Sequence, residues 1–107
     1  MIARIWHGWT TPAKAEQYET LLREEIFVGI NDRHIDGFRD IRLLRRETGG
    51  EVEFITIMHF DSLDSVRNFA GENWEAAVVP ERARELLSRF DERSQHYDVR
   101  LESAARG

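Results

Sequence analysis

Hydrophobic and polar residues alternate along two segments in the middle of the chain, residues 38–47 and 51–60. The short stretch Thr48-Gly49-Gly50 separates them, which indicates two antiparallel strands joined as a hairpin. In the second segment the alternation places Val52, Phe54, Thr56, Met58 and Phe60 on one side. The other side carries Glu53, Ile55, Ile57 and His59. Both faces of this strand are therefore mainly apolar, which predicts that both are covered.

The first half of the chain contains a strand followed by an amphipathic helix. Residues 2–9 are rich in β-branched and aromatic types and stop at Thr10-Thr11-Pro12, so they predict the first strand. Thr11 is expected to be the N-cap and Pro12 the first helical residue. Apolar residues then recur at three- and four-residue steps: Ala15, Tyr18, Leu21, Leu22 and Ile26. Residues 29–37 follow neither period and predict a loop.

The second half repeats the order of helix and strand. Asp61-Ser62 predicts the start of a helix that ends at Gly71, with a further helical piece from about Glu75 and another after Pro80 through Phe90. A last strand is expected over 92–101. Residues 102–107 are small and polar and predict a frayed tail.

The order βαββαβ predicts an α+β, ferredoxin-like domain spanning 1–107, with a four-stranded antiparallel sheet and helices on one face. Helices on one face leave the other apolar face uncovered. A second copy of the chain is the simplest cover, since burial of side chains such as Ile55 and Ile57 stabilises by roughly 1.5 to 3 kcal/mol each. The sequence therefore predicts a homodimer.

The composition of the chain limits the kinds of molecule that it is expected to bind and the chemistry that it is expected to use. The net charge of −5 argues against nucleic acid, whose binding depends on Lys and Arg. The chain has no cysteine, which excludes disulfides and thiolate chemistry. No leader-like start and no apolar run of about 18 residues is present, so neither export nor membrane spanning is expected, and the cytoplasm is the predicted location.

Three stretches resemble the antibiotic biosynthesis monooxygenase domain of the dimeric α+β barrel superfamily. They are the opening Ile2-Ala3-Arg4-Ile5-Trp6-His7-Gly8 running into Thr10-Thr11-Pro12, the segment 54–66, and the closing His96-Tyr97-Asp98-Val99. The resemblance implies a dimeric barrel with a pocket between sheet and helices. The domains that the chain resembles include oxygenases that form quinones without metal or organic cofactor, oxygenases that degrade haem, and many proteins without an assigned reaction. The haem branch places its iron-ligating His at about Val79 of this chain, and a Val cannot ligate iron.

His7 is the candidate catalytic residue. Strand alternation puts it with Ile5 and Trp9, and we expect this face to look toward the helices, where His7 would act as a base or hydrogen-bond the substrate. The alternative is a structural histidine satisfied by a carbonyl or water. His59 is expected on the opposite face, meeting Arg4, Glu53 or the partner subunit. No two histidines are spaced as His-x-His or His-x3-His, so no metal site is predicted.

The remaining candidates would enclose a small apolar or aromatic ligand. The predicted enclosure consists of Tyr18, Phe54, Met58, Phe60, Trp74, Val78 and Tyr97. Trp74 follows a helix break and is equally a lid or a core residue, and Tyr97 is alternatively a sheet-core residue. Arg4 and Trp6 are expected on the dimer side.

These features lead to three hypotheses. The first is a cofactor-independent monooxygenase, or a related cyclase or isomerase, acting on a small aromatic or polyketide-like molecule. The second is a non-catalytic ligand-binding or accessory dimeric module. The third is a haem-degrading oxygenase, which the valine at the ligand position disfavours.

Overall fold

The computed structural model describes residues 1–106, which form one sheet with helices packed on one of its faces. The strands are β1 (Ile2–Thr10), β2 (Phe38–Thr48), β3 (Glu51–Phe60), β4 (Arg89–Phe90) and β5 (Gln95–Asp98). The helices are α1 (Pro12–Leu21), a π-helical segment (Leu22–Ile26), α2 (Phe27–Asp32), α3 (Leu63–Ala70) and α4 (Glu81–Leu86). The predicted α+β, ferredoxin-like architecture is confirmed.

The sheet is antiparallel throughout, in the order β2-β3-β1, and both β4 and β5 pair with the remaining edge of β1. The predicted last strand is shorter and limited to β5, and β4 lies at Arg89–Phe90, where helix was predicted, because α4 ends at Leu86. The hairpin is as predicted, with Gly49 in the left-handed conformation between β2 and β3. The helix proposed from Glu75 is absent, because residues 71–80 form a loop anchored by a bridge between Ala76 and Arg93.

The first helical region is longer than predicted. Residues 29–32, expected to begin a loop, are helical through Asp32. The physical reason is packing: Phe27 and Ile30 join apolar clusters beneath the sheet, and tertiary contacts outweigh the weak helix propensity of Gly29 and Asn31. Thr11 has the extended backbone of an N-cap, but its side chain makes no capping hydrogen bond.

The core lies between the sheet and the helices in two clusters. One surrounds Tyr18 and Phe54, whose ring centroids are 4.9 Å apart. The other surrounds Phe60, Met58 and Val66. The backbone at Gly37, just before β2, lies very close to the side chain of Ser65 at the start of α3. Gly37 has a φ of 83°, and a Cβ there would lie 1.8 Å from the Ser65 Oγ. Only glycine fits that position.

The opposite face of the sheet, here called the open face, carries no helix among the described residues. Residues paired directly across an antiparallel ladder share a face, so the register assigns its members. They include Ile5 opposite Ile57, His7 opposite Ile55, and Leu44 beside Ile55. The three isoleucines are half-buried and Leu44 is exposed. The predicted two-sided apolar character of β3 is confirmed.

No helix among residues 1–106 has the length and apolar character needed to cross a membrane.

Candidate functional site

A cavity of about 70 Å³ lies between the sheet and the helices. The first helical region supplies one wall, the loop before α4 supplies a second, and strands β1 and β3 form the floor. Its apolar lining residues are Trp6, Leu22, Ile26, Phe27, Ile30, Ile41, Met58, Phe69, Val78, Val79, Pro80 and Ala83. Its polar lining residues are Arg4, Tyr18, Thr56 and Ser94. A mainly apolar wall with a few polar groups is typical of small-molecule sites.

Arg4 is the charged member of this lining. It is only 3% exposed, because β1 is central and its side chain lies under the loop before α4. Its Nη1 donates to the Trp74 carbonyl at 2.5 Å, and its Nη2 donates to the Ala76 carbonyl at 3.1 Å. The guanidinium carbon also lies 5.5 Å from the Phe69 ring centroid. Burial lowers the pKa of Arg4 to about 10, so it remains protonated at neutral pH.

His96 is the neighbour of Arg4 across the β1–β5 ladder. Its Nε2 lies 2.9 Å from Nη1 of Arg4. Because a guanidinium only donates, Nε2 must accept, and the ring proton of neutral His96 then resides on Nδ1. Burial, and secondly the charge of Arg4, lower the pKa of His96, while Glu75 opposes this shift. A neutral imidazole therefore holds the cation in place.

Two aromatic residues with polar atoms complete the lining. Tyr18 is 2% exposed, and burial raises the pKa of its hydroxyl, which stays protonated. The Trp6 indole Nε1 donates to the Asp91 carbonyl at 2.7 Å, and this hydrogen bond fixes the ring in the cavity wall. The arrangement can bind an aromatic molecule between apolar side chains and present one cation to it.

The structure brings only part of the predicted enclosure together. Tyr18, Met58 and Val78 line the cavity. Phe54 and Phe60 are fully buried behind it in the core. Trp74 lies at its edge, where the indole packs edge-on against His96 at 4.8 Å between ring centroids.

The predicted positions of His7 and Tyr97 are wrong. The register puts His7 opposite Ile55 and Tyr97 opposite Ala3, so both lie on the open face and not beside the helices. His7 Nδ1 is 3.2 Å from a carboxylate oxygen of Glu53. Hydrogen bonding to His7, and secondly to Arg46, holds the pKa of Glu53 below its usual value. The side chain of His7 therefore does not contact this cavity, and it cannot act there as the predicted base.

The faces predicted for Arg4 and Trp6 are also wrong, whereas His59 lies on the face of Ile55 and Ile57, as predicted. Arg4 and Trp6 point toward the helices, whereas His59 shares the open face with His7. His59 Nδ1 contacts the Asp40 carboxylate at 2.7 Å and touches neither Arg4 nor Glu53. The alternation of β1 is as predicted, but the wrong alternate set is assigned to the helices, because both sets are apolar enough to face a core. The missed signal was Arg4 itself, a lone cation within Ile-Ala-Arg-Ile-Trp.

Within residues 1–106, no three His, Asp or Glu side chains converge in a way that could hold a metal ion.

Comparison with known proteins gives a likeness in structure only. No family model matches the chain, and no curated protein matches it in sequence. An inferred antibiotic biosynthesis monooxygenase from Bacillus cereus has a TM-score of 0.65 and 16% identity, covering 99% of this chain and 97% of the other. A similarly inferred protein from Deinococcus radiodurans has a TM-score of 0.66 and 12% identity, covering 100% of both chains.

A third similar structure is the haem degrader MhuD from Mycobacterium tuberculosis with two haems bound in its active site. It has a TM-score of 0.61 and 20% identity, and the match covers 97% of this chain and 100% of MhuD. At these identities the likeness establishes the fold. The chain therefore has the antibiotic biosynthesis monooxygenase-type fold that its sequence resembles.

Proposed function

We propose that this protein is a cofactor-independent monooxygenase that acts on a small aromatic or polyketide-like molecule in the cavity between sheet and helices. The observation that carries the proposal is the cavity lining, in which aromatic and aliphatic walls surround a few polar groups. The fold shared with two inferred monooxygenases supports the same class. The site supports the proposal more strongly than the fold does, since one fold hosts many activities.

The proposed reaction converts an activated methylene of the substrate into a ketone. One oxygen atom of O₂ enters the product, and the other leaves as water with the two methylene hydrogens. The substrate supplies the electrons, since an electron-rich aromatic anion can reduce O₂ directly. The apolar wall around Met58 and Val79 contributes by excluding bulk water from that anion.

Substrate entry requires the cavity to widen, because about 70 Å³ is far below the roughly 300 Å³ of a typical ligand pocket. The loop before α4 is the element suited to move. It lacks regular secondary structure over residues 71–80, and its Val78 lines the cavity while remaining 52% exposed. Outward displacement of the part of the loop around Val78, beyond the residues that Arg4 and the Ala76–Arg93 bridge hold, would open the site without disturbing the sheet.

We further propose that the functional unit is a homodimer formed through the open face. Ile5, Ile55 and Ile57 are half-buried there, and Leu44 is 43% exposed. Polar neighbours such as Arg42 and Asp40 lie on the same face, which gives the contact a mixed character. An identical subunit would cover these side chains and leave the cavity on the far side of each sheet.

The test is oxygen uptake with an anthrone, whose activated methylene is the group that the proposed reaction converts into a ketone. We expect one O₂ consumed per quinone formed, with no hydrogen peroxide released. The variant Val78→Trp should narrow the entrance and lower kcat/KM at least several-fold. Val28→Trp is the matched control, because Val28 is similarly exposed on α2 but does not line the cavity. Uptake no faster than in buffer, or uptake equal in the two variants, contradicts the proposal.

A binding or accessory role is the second candidate. It is favoured because polar groups of the site already bind other parts of the protein and not a reacting molecule. Arg4 and His96 bind one another, and Trp6 donates to the Asp91 carbonyl. In that case the ligand binds with the same dependence on Val78, and no oxygen is consumed.

The residues of the cavity do not fit haem. His7, His34 and His59 lie outside the cavity lining, and the Nε2 of His96 already accepts from Arg4. Val79, which the resemblance puts at about the position of the iron ligand in the haem-degrading branch, lines the cavity and cannot ligate iron. Titration with haemin is therefore expected to give no saturable Soret band, and a stoichiometric band would contradict this conclusion.

A further inference from the structure

The charge of Arg4 has no counterion within the described part of the chain. Its hydrogen-bond partners are two carbonyls and a neutral imidazole. No Asp or Glu of residues 1–106 forms an ion pair with it, and burial lowers its pKa. Its guanidinium carbon lies 5.5 Å from the centroid of the Phe69 ring. A buried cation without a carboxylate partner is costly, and such residues are normally paired.

The donors that remain on Arg4 have a defined geometry. A guanidinium carries five N–H groups, and Nη1 uses both of its own on Trp74 and His96. Nη2 uses one on Ala76. One N–H of Nη2 and the N–H of Nε therefore have no protein partner among the described residues. Adjacent N–H groups of this kind form the two parallel bonds of a bidentate contact with a carboxylate.

The free donors belong to a side chain that lines the cavity. Within residues 1–106, no fully buried side-chain nitrogen or oxygen lacks a hydrogen-bond partner. The unpaired Nε of Arg4 is therefore not fully enclosed by protein, and we assign it to the cavity that Arg4 lines. The surrounding lining, including Trp6 and Met58, is apolar and suits a ring system.

We propose that the ligand of this cavity is an aromatic carboxylic acid, with its carboxylate bound by Arg4 and its ring system packed against Trp6 and Met58. This inference rests on the proposed function, because it names the substrate class of the same site. The carboxylate anchors the molecule and takes no part in the oxidation. His96 is a positioning residue, since it acts on the ligand only through Nη1 of Arg4.

The experiment measures binding of three matched probes to the full-length protein: naphthalene carboxylate, naphthalene carboxamide and naphthol. Quenching of tryptophan fluorescence reports binding, because Trp6 lines the cavity. We expect the carboxylate to bind roughly 10- to 100-fold more tightly than the amide, as charge-assisted hydrogen bonds predict. Arg4→Gln should remove this preference, so that the acid and the amide bind with similar affinity. Arg23→Gln, which removes an exposed helical cation, should preserve it.

The outcomes separate this inference from the proposed function. Equal binding of acid and amide, or a preference that survives in Arg4→Gln, overturns the anion site but leaves an aromatic cavity intact. Arg4-dependent binding of naphthol as tight as that of the acid overturns the carboxylate assignment. Absence of binding by all three probes overturns both proposals.

A second variant covers the case in which Arg4→Gln fails to fold. Arg4→Lys keeps the charge but loses the two-pronged geometry, so it should retain part of the preference. A preference in Arg4→Lys equal to that of the wild type contradicts bidentate binding. Near-ultraviolet circular dichroism checks that each variant keeps its packed core.

Discussion

Replacing Ile57 by glutamate is expected to separate the proposed dimer into folded monomers. Ile57 lies on the open face of the central strand β3 and is half-buried within one subunit. Completing its burial is worth about 1 to 1.5 kcal/mol, half the value for a whole side chain. A two-fold interface contains each residue twice, so the loss is about 2 to 3 kcal/mol, or roughly a 30- to 150-fold weaker Kd. Desolvation of the new carboxylate adds to this effect.

The variant should fold, because Arg42 lies directly opposite position 57 on β2 and can pair with the new carboxylate. Sedimentation velocity over a concentration series measures the monomer–dimer equilibrium, and circular dichroism checks folding. Val28→Glu is the control, since Val28 is exposed on α2 away from the open face. Wild-type protein that sediments as a folded monomer at high concentration refutes the dimer. Equal dimerisation of wild type and Ile57→Glu refutes the proposed interface.

Three further predictions concern single positions. Gly37→Ala should destabilise the folded protein by more than about 2 kcal/mol, since a Cβ there meets Ser65. Gly49→Ala should cost about 1 kcal/mol, because Gly49 also has a positive φ but has open space around it. Equal losses of unfolding free energy in urea would contradict this account. The pKa of His96 is lowered in the folded protein, so as the pH falls below about 6.5 His96 is protonated in the unfolded chain before it is protonated in the folded one. The stability that neutral His96 contributes is therefore present above that pH and is lost below it. Between pH 8 and about pH 5, the free energy of unfolding measured in urea should therefore fall less in His96→Gln than in the wild type. The charged neighbours of His96 are Arg4 and Glu75, and an identical fall in the two proteins would refute this prediction. His7→Ala should leave ligand affinity unchanged in fluorescence titration, because His7 lies on the open face, and a fall of tenfold or more would contradict the assigned face.

The hairpin and the order of elements could be predicted because local signals agree with the fold. Alternation along β3 and the glycines after Thr48 specify two strands and their turn without any long-range contact. The end of the first helical region could not be predicted, since it depends on contacts of Phe27 and Ile30 with distant strands. Local propensity at Gly29 indicates the opposite.

The site was predicted less completely than the fold for a related reason. In β1 the residues Ile5 and Trp9 alternate with Ile2 and Trp6, so hydrophobicity does not distinguish the two faces. The pairing register with β3 makes the distinction, and a one-residue choice reverses every side chain. His7 was assigned to the helices by this reversal. Tyr18, Met58 and Val78 were placed in the cavity lining by patterns that do not depend on the face of β1.

The π-helical segment Leu22–Ile26 has a consequence for how the cavity can change shape. Such a segment accommodates one extra residue, which turns everything after it by up to about 100° around the helix axis. Leu22 and Ile26 of this segment, and beyond them Phe27 and Ile30 of α2, all reach the cavity. Deleting one residue here would restore regular winding and swing Phe27 and Ile30 out of the wall. A one-codon change could thus enlarge the chamber and alter which molecules it admits, with the sheet left untouched.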